Sequence, residues 1–407
     1  MPTDIPAPRI DPIKFKVAML SLCTAIGQSG NSLMVSSTGI AAALMLDDKA
    51  LATLPFLFQH IANMSSTFPA SFLMRRFGRQ RGFLLGATVG VLGGALCMLA
   101  VFLAKFWLLC LGTACVGVYI CFANYYRFAA ADLVPWESRA KVIAIVMAGG
   151  VASGFIGPTL ASYTYDLFAP VLYAGVYLGL IGLYVTVAVM MSFIPMPAPS
   201  VEEIAGPQRS LRAIMSQRDA VVAVACASIS FGVMAMLMTA TPLAMAGCGF
   251  TFNRTTDVIQ WHVWGMFVPS FFTGHLIGYF GLRRVMGAGV LLFIAAIAIA
   301  VSGLSFGHFF SALTLIGVGW NFLFVGGTTL LTTVYTTAER AKVQAANDFM
   351  VFGTVAVASL LAGILQAKVG WETLNYAALP IIGIAGIVVL ALRGRRGGGG
   401  AAIVATA

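Results

Sequence analysis

Apolar stretches of about twenty or more residues, separated by short polar breaks, recur from one end of the chain to the other. An α-helix rising 1.5 Å per residue crosses a hydrocarbon core of ~30 Å with about that length. Read between breaks, the pattern predicts twelve helices, at approximately 16–46, 50–75, 82–104, 106–131, 139–166, 168–195, 217–247, 254–281, 283–305, 307–335, 339–368 and 372–393. Runs such as Val285–Leu304 and Leu379–Leu392 lack the polar alternation of a membrane β-barrel strand. Backbone groups in lipid must then pair within each segment, which leaves helices.

The pattern also repeats. SFLMRRFGRQR at 71–81 aligns with GHLIGYFGLRR at 274–284, an offset of 203, and ESRAKV at 137–142 aligns with AERAKV at 338–343, an offset of 201. Two matches at nearly one offset, each in the corresponding loop of its half, imply a duplicated six-helix unit. The proline-rich, mixed-charge stretch between the halves reads as a linker. The expected organisation is a tail at 1–15, a bundle at 16–195, a linker at 196–216, a bundle at 217–393 and a disordered, glycine-rich tail at 394–407.

Composition narrows the class. Of 407 residues, 59% are hydrophobic and 9% charged, against roughly 25% charged in a soluble domain. The net charge of +10 comes from short clusters between apolar runs, with no aromatic and basic platform for nucleic acid. With both termini inside, only Lys49, Lys105, Arg254 and Lys368 of the 24 Lys and Arg residues fall in outer loops. That asymmetry predicts cytoplasmic termini in a multi-pass cell membrane protein, of bacterial inner-membrane type. The seven cysteines show neither metal-ligand spacing nor a disulfide framework. No phosphate-binding GxxxxGK[ST] loop occurs, and the four histidines, His60, His262, His275 and His308, are dispersed. Neither direct use of ATP nor an enzyme is expected, and no metal or cofactor.

With its twelve helices, its 6+6 repeat and a basic FG turn after the second helix of each half, the sequence resembles the major facilitator superfamily over essentially its whole length. The family's loop pattern G-x-x-x-D-R-x-G-R falls on Ser71, Arg75, Arg76, Gly78 and Arg79, with Gly281, Arg283 and Arg284 in the second half. Arg76, Gly78 and Arg79 match, whereas Arg75 inverts the charge of the acidic residue that the resemblance makes a cytoplasmic lock. Gly78 serves equally as a turn glycine. The resemblance implies that Arg79 pairs with Asp132. Helix 5 carries GGVASGFIGPTLA, similar to the family's antiporter motif through Gly150, Gly154, Gly157 and Pro158, although small residues and a proline also suit close helix packing. The family's mid-helix arginine of helix 4 is missing, since its place falls near Gly112 or Thr113.

Charges inside a span need a partner or water. Arg127 lies five residues before Asp132, about 7–8 Å into the membrane, and Asp348 lies eight residues beyond Arg340, roughly 12 Å in. Opposite charges at similar depth in opposite halves predict a cross-half salt bridge that gates the inner side, with Asp348 as the proton site. His60 and His262 are further proton candidates. Gln28, Asn31, Asn124, Tyr125, Asn321 and Asn347, with Trp264, Trp320 and the same two histidines, are candidates for an amphipathic solute cavity. The expected function is a monomeric secondary transporter of a small organic solute by alternating access, proton-coupled and of efflux-antiporter type. An uptake permease or uniporter for a metabolite or vitamin is the alternative. A receptor or scaffold without flux is the reading of another class.

Overall fold

The computed structural model describes residues 12–131, 133–134, 136–194, 196 and 209–392. Asp132, most of the expected linker, both expected tails apart from 12–15, and the side chain of Arg75 lie outside the described residues. The chain forms α1 (Pro12–Ala43), α2 (Leu54–Phe77), α3 (Arg79–Phe102), α4 (Phe106–Ala123), α5 (Tyr126–Ala131), α6 (Trp136–Thr164), α7 (Ala174–Ser192), α8 (Leu211–Met215), α9 (Arg218–Gly247), α10 (Phe252–Phe267), α11 (Ser270–Phe280), α12 (Leu282–Ser302), α13 (Phe306–Thr332) and α14 (Arg340–Leu390).

These helices make twelve membrane crossings. Helices α4 and α5 together form one crossing, Phe106–Ala131. Helices α10 and α11 form another, broken at Pro269, where proline has no N–H to continue the helix. Helix α14 makes two crossings and reverses at Gly370, whose φ of 79° is non-helical. Helices α1 and α2 are less uniformly apolar, and the reason is visible in their buried faces. Ser29, Ser36, Ser37 and Thr38 of α1 and Gln59 and Asn63 of α2 are all buried, so polar groups point into protein rather than lipid.

The repeat has a conformational counterpart. Gly78 ends α2 with φ 88° and ψ 155°, and Gly281 ends α11 with φ 85° and ψ 150°. This backbone region is nearly exclusive to glycine, and nothing lies within 4 Å of a Cβ added at either position. The turn itself therefore requires glycine at both places.

One apolar core is built mainly from α1–α7 and the other mainly from α9–α14. They interlock at the end opposite the two glycine turns: Val35 and Phe56 enter the second core, and Phe252 enters the first, against Tyr165 and Tyr173. At that end the Thr53 hydroxyl accepts from the Gly363 amide at 3.1 Å, and Ser162 and Thr256 hydroxyls meet at 2.7 Å. Towards the glycine-turn end, α2, α4, α5 and α14 part around a cavity.

Candidate functional site

The cavity has a volume of about 580 Å³ and is walled by both halves. From the first half come Asn63, Thr67, Phe68, Ser71 and Phe72 of α2, Arg79, and Asn124, Tyr125, Arg127 and Phe128 around the α4–α5 junction. The second half supplies Arg340, Lys342, Gln344, Asp348 and Phe352 of α14. The junction is pinned to α2, because the Tyr125 hydroxyl donates to the Thr67 carbonyl at 3.2 Å. Arg79 Nη1 donates to the Phe128 carbonyl at 3.4 Å, tying the start of α3 to α5.

Arg127 and Asp348 both face this cavity, near enough for their charges to interact. The expected direct salt bridge is not formed: among the described residues no ion pair joins them, and Asp348 accepts instead from Asn347 Nδ2 at 3.2 Å. The cavity separates the halves here, so the two side chains meet electrostatically rather than by contact. The Arg127 guanidinium lies 4.8 Å from the Phe128 ring centroid, and its Nε is buried without a hydrogen-bond partner. A smaller pocket of about 50 Å³ adjoins Arg127 and Asn124 and includes Gln28 and Tyr119. It has room for a few waters.

Several expected cavity residues are elsewhere. Asn321 is fully buried beside the helix break, donating to the Met266 carbonyl at 2.7 Å and to Ser270 Oγ at 2.6 Å while accepting from Thr273 Oγ1 at 2.6 Å. Its amide is consumed by backbone and hydroxyl groups around Pro269, so Asn321 braces the broken helix. His262 is also fully buried and shares a 2.7 Å hydrogen bond through Nδ1 with the Leu313 carbonyl of α13. Asn31 accepts from Gln59 Nε2 at 3.0 Å. His60 is half-buried on α2 and does not line the cavity.

Trp320 stacks on Phe324 at 4.9 Å and 12°, with Phe231 edge-on to it and Phe231 in turn 5.9 Å from Phe352. It thus stands one aromatic layer behind the cavity wall. Trp264 packs on Gly154, and Phe267 on Gly150, across the α6–α10 seam between halves, while Gly157 abuts the Ser29 carbonyl of α1 and Pro158 is buried. The antiporter-like segment therefore acts here as a close-packing surface. Arg76 is exposed over Phe77, and Gly281, Arg283 and Arg284 are exposed, away from the cavity.

Sequence reasoning passed over Asn63, Phe128, Arg340, Lys342 and Phe352. Arg340 and Lys342 stand in the AERAKV repeat segment, which was a signal for duplication and equally one for a basic rim. It also passed over Glu339. This residue is buried, with 1% of its side chain exposed, and accepts from Arg209 Nε at 2.8 Å and Nη2 at 2.6 Å, from the Arg209 amide at 2.8 Å and from the Thr336 amide at 3.0 Å. The Arg209 guanidinium, helped by these amides, holds the Glu339 carboxyl well below the usual carboxylate range. Among the described residues, no group of His, Cys, Asp and Glu could hold a metal ion.

The sequence matches the family model described as Major Facilitator Superfamily over residues 17–259 and 229–403. It is 38% identical over 379 residues to the riboflavin transporter RfnT of Brucella anthropi, covering 93% of this chain and 95% of that protein. The MFS-type transporter YdeG of Bacillus subtilis is 27% identical over 391 residues, covering 92% and 89%. Among solved structures, the nucleoside transporter NupG has a TM-score of 0.67 at 14% identity, covering 92% of this chain and 99% of that one. A bacterial homologue of the iron transporter ferroportin, in an outward-facing state, has 0.63 at 14%, covering 92% and 98%. At such identities the structural likeness concerns the fold.

Proposed function

Because the chain belongs to the Major Facilitator Superfamily and is a multi-pass membrane transporter of a small solute, we propose that its solute is a flat-ring vitamin, riboflavin foremost. The observation that carries this reading is the end-to-end relation to a riboflavin transporter. The cavity agrees with it: Phe68, Phe72, Phe128 and Phe352 offer apolar ring faces, and Asn63, Asn124 and Gln344 offer amides suited to a polyhydroxylated, heteroaromatic solute. Of the alternatives open from sequence, this favours the vitamin carrier over the efflux antiporter.

The basic, glycine-turn end is assigned to the cytoplasm on the distribution of Lys and Arg. Solute is then held in a cavity reached from the cytoplasm, with the halves closed at the other end by Thr53, Ser162 and the Phe252 cluster. Transport requires the reverse arrangement, with α2, α4 and α5 closing on α14. Asp348 and Arg127 face each other across that gap. Protonation of Asp348 removes the carboxylate that attracts Arg127, which couples proton occupancy to the closing of this side.

Labelled riboflavin in proteoliposomes tests the reading. Accumulation driven by an imposed pH gradient supports a proton-coupled carrier, and equilibration without accumulation supports a uniporter. Riboflavin that binds without moving returns the reading to a receptor, and absence of both binding and flux removes riboflavin as the solute. Growth at low riboflavin of cells unable to make it separates uptake from export.

A further inference from the structure

The cavity wall is more basic than a neutral vitamin requires. Its described lining residues include four basic side chains, Arg79, Arg127, Arg340 and Lys342, and one carboxylate, that of Asp348. Arg127 and Arg340, from opposite halves, both pack over the ring of Phe128, at 4.8 and 5.8 Å from its centroid. Like charges brought to one ring repel in a low-dielectric cleft, and closure of this end brings them nearer. The buried Nε of Arg127 still lacks a partner. Paired guanidiniums form a donor set that matches a phosphate better than it matches a hydroxyl.

The donors are also ordered by depth. Along α14, Asp348 lies about 12 Å, and Phe352 about 18 Å, beyond Arg340 at 1.5 Å per residue. The rim is thus cationic, and the carboxylate and the Phe352 ring lie deeper. A phosphate between Arg340 and Arg127, which share the Phe128 ring, lies on the mouth side of Asp348 while a flat ring on the same molecule reaches inward.

We infer that the cavity binds the phosphate monoester of its solute at Arg340 and Arg127, and that this ester acts as an inhibitor that is not itself carried. The inference rests on the flat-ring vitamin reading for its ring and on the arginines alone for its phosphate. A dianion bridging both halves satisfies the two guanidiniums and holds the carrier with this face loaded. Carrying it across means dragging the charge through the apolar seam between the cores. Phosphorylation of imported vitamin would then restrain further import.

The test uses the full chain in phosphatidylcholine vesicles, with flavin fluorescence reporting binding of riboflavin and flavin mononucleotide. Mononucleotide binds about tenfold tighter than riboflavin at low salt, a difference of about 1.4 kcal/mol, and the margin shrinks as salt rises. It inhibits riboflavin flux without crossing. Arg340→Gln removes the margin by weakening mononucleotide binding more than riboflavin binding, whereas Lys105→Gln, which removes an exposed charge at the other end, keeps it. Equal affinities in the wild type, a margin that survives in Arg340→Gln, or transport of the mononucleotide overturns the inference. Should neither flavin bind, the vitamin reading falls, and inorganic phosphate reports the anion site by itself: it raises the melting temperature of the wild type but not of Arg340→Gln, and no shift refutes the site. Added phosphatidylglycerol leaves mononucleotide binding in place; if it abolishes binding, a lipid headgroup is the occupant and the free ester is not.

Discussion

Arg209 grips Glu339 through both carboxylate oxygens, at 2.8 and 2.6 Å, and its Nη2 also donates to the Val334 carbonyl at 2.9 Å. Lys342 closes the arrangement by donating to the Arg209 carbonyl. The chain just before α8 is thereby fastened to the short loop between α13 and α14, beside the cavity rim. A segment connecting two moving halves is anchored to one of them, next to Arg340.

The clasp has a pH signature. The folded carboxyl of Glu339 is held below its ordinary value by Arg209, so its stabilisation is complete above the unfolded value of about 4.3 and is lost as pH falls towards the folded one. Between about pH 5 and pH 2 the wild type loses stability that Glu339→Gln never had. Thermal melts across that range check this: the variant melts a few degrees lower at pH 7, and the two curves converge in acid.

Asp348→Asn keeps the shape of the side chain and removes its charge. Gradient-driven accumulation of solute falls at least about tenfold while counterflow exchange persists. Equal loss of both activities assigns Asp348 to the solute site, and loss of neither removes it from coupling.

At Gly78 and Gly281 any side chain is strained by the backbone angle alone. Alanine at either position costs about 1–3 kcal/mol, read as a lower melting temperature. Gly182→Ala is the control: that glycine lies within α7 with nothing within 4 Å of an added Cβ, and its substitution is neutral or slightly stabilising.

The α6–α10 seam closes only around small residues. A Cβ at Gly154 would stand 2.5 Å from Trp264 Cδ1, so Gly154→Val wedges the halves apart at the closed end. Flux falls about tenfold or more with protein levels retained, and Trp264→Ala in the same chain restores part of it. An uninhibited Gly154→Val carrier means that the seam does not govern access.

The crossings and the duplication were legible because each is a one-dimensional property. A hydrocarbon core demands a run of given length, and a duplicated turn leaves its glycine and its basic residues at a constant offset, as at Gly78 and Gly281. Depth was legible too, since a helix converts residue number into distance at a fixed rise; Arg127 and Asp348 do face one cavity. Their direct ion pair was not, because the gap between halves is set by how far the two cores have rocked apart.

Which way a polar group faces was decided by the tertiary structure alone. Asn321, His262 and Trp320 read from sequence as cavity residues, yet Asn321 bonds the Met266 carbonyl beside the Pro269 break, His262 bonds the Leu313 carbonyl, and Trp320 lies behind Phe231 and Phe352. Arg340 and Lys342 became cavity residues for the same reason. The sequence by itself determined that there are two six-helix bundles and what each crossing contains, since lipid imposes those requirements on every segment separately. The rotation of each helix about its axis, and with it the identity of the cavity wall, depends on neighbours supplied by distant parts of the chain, and only packing resolves it.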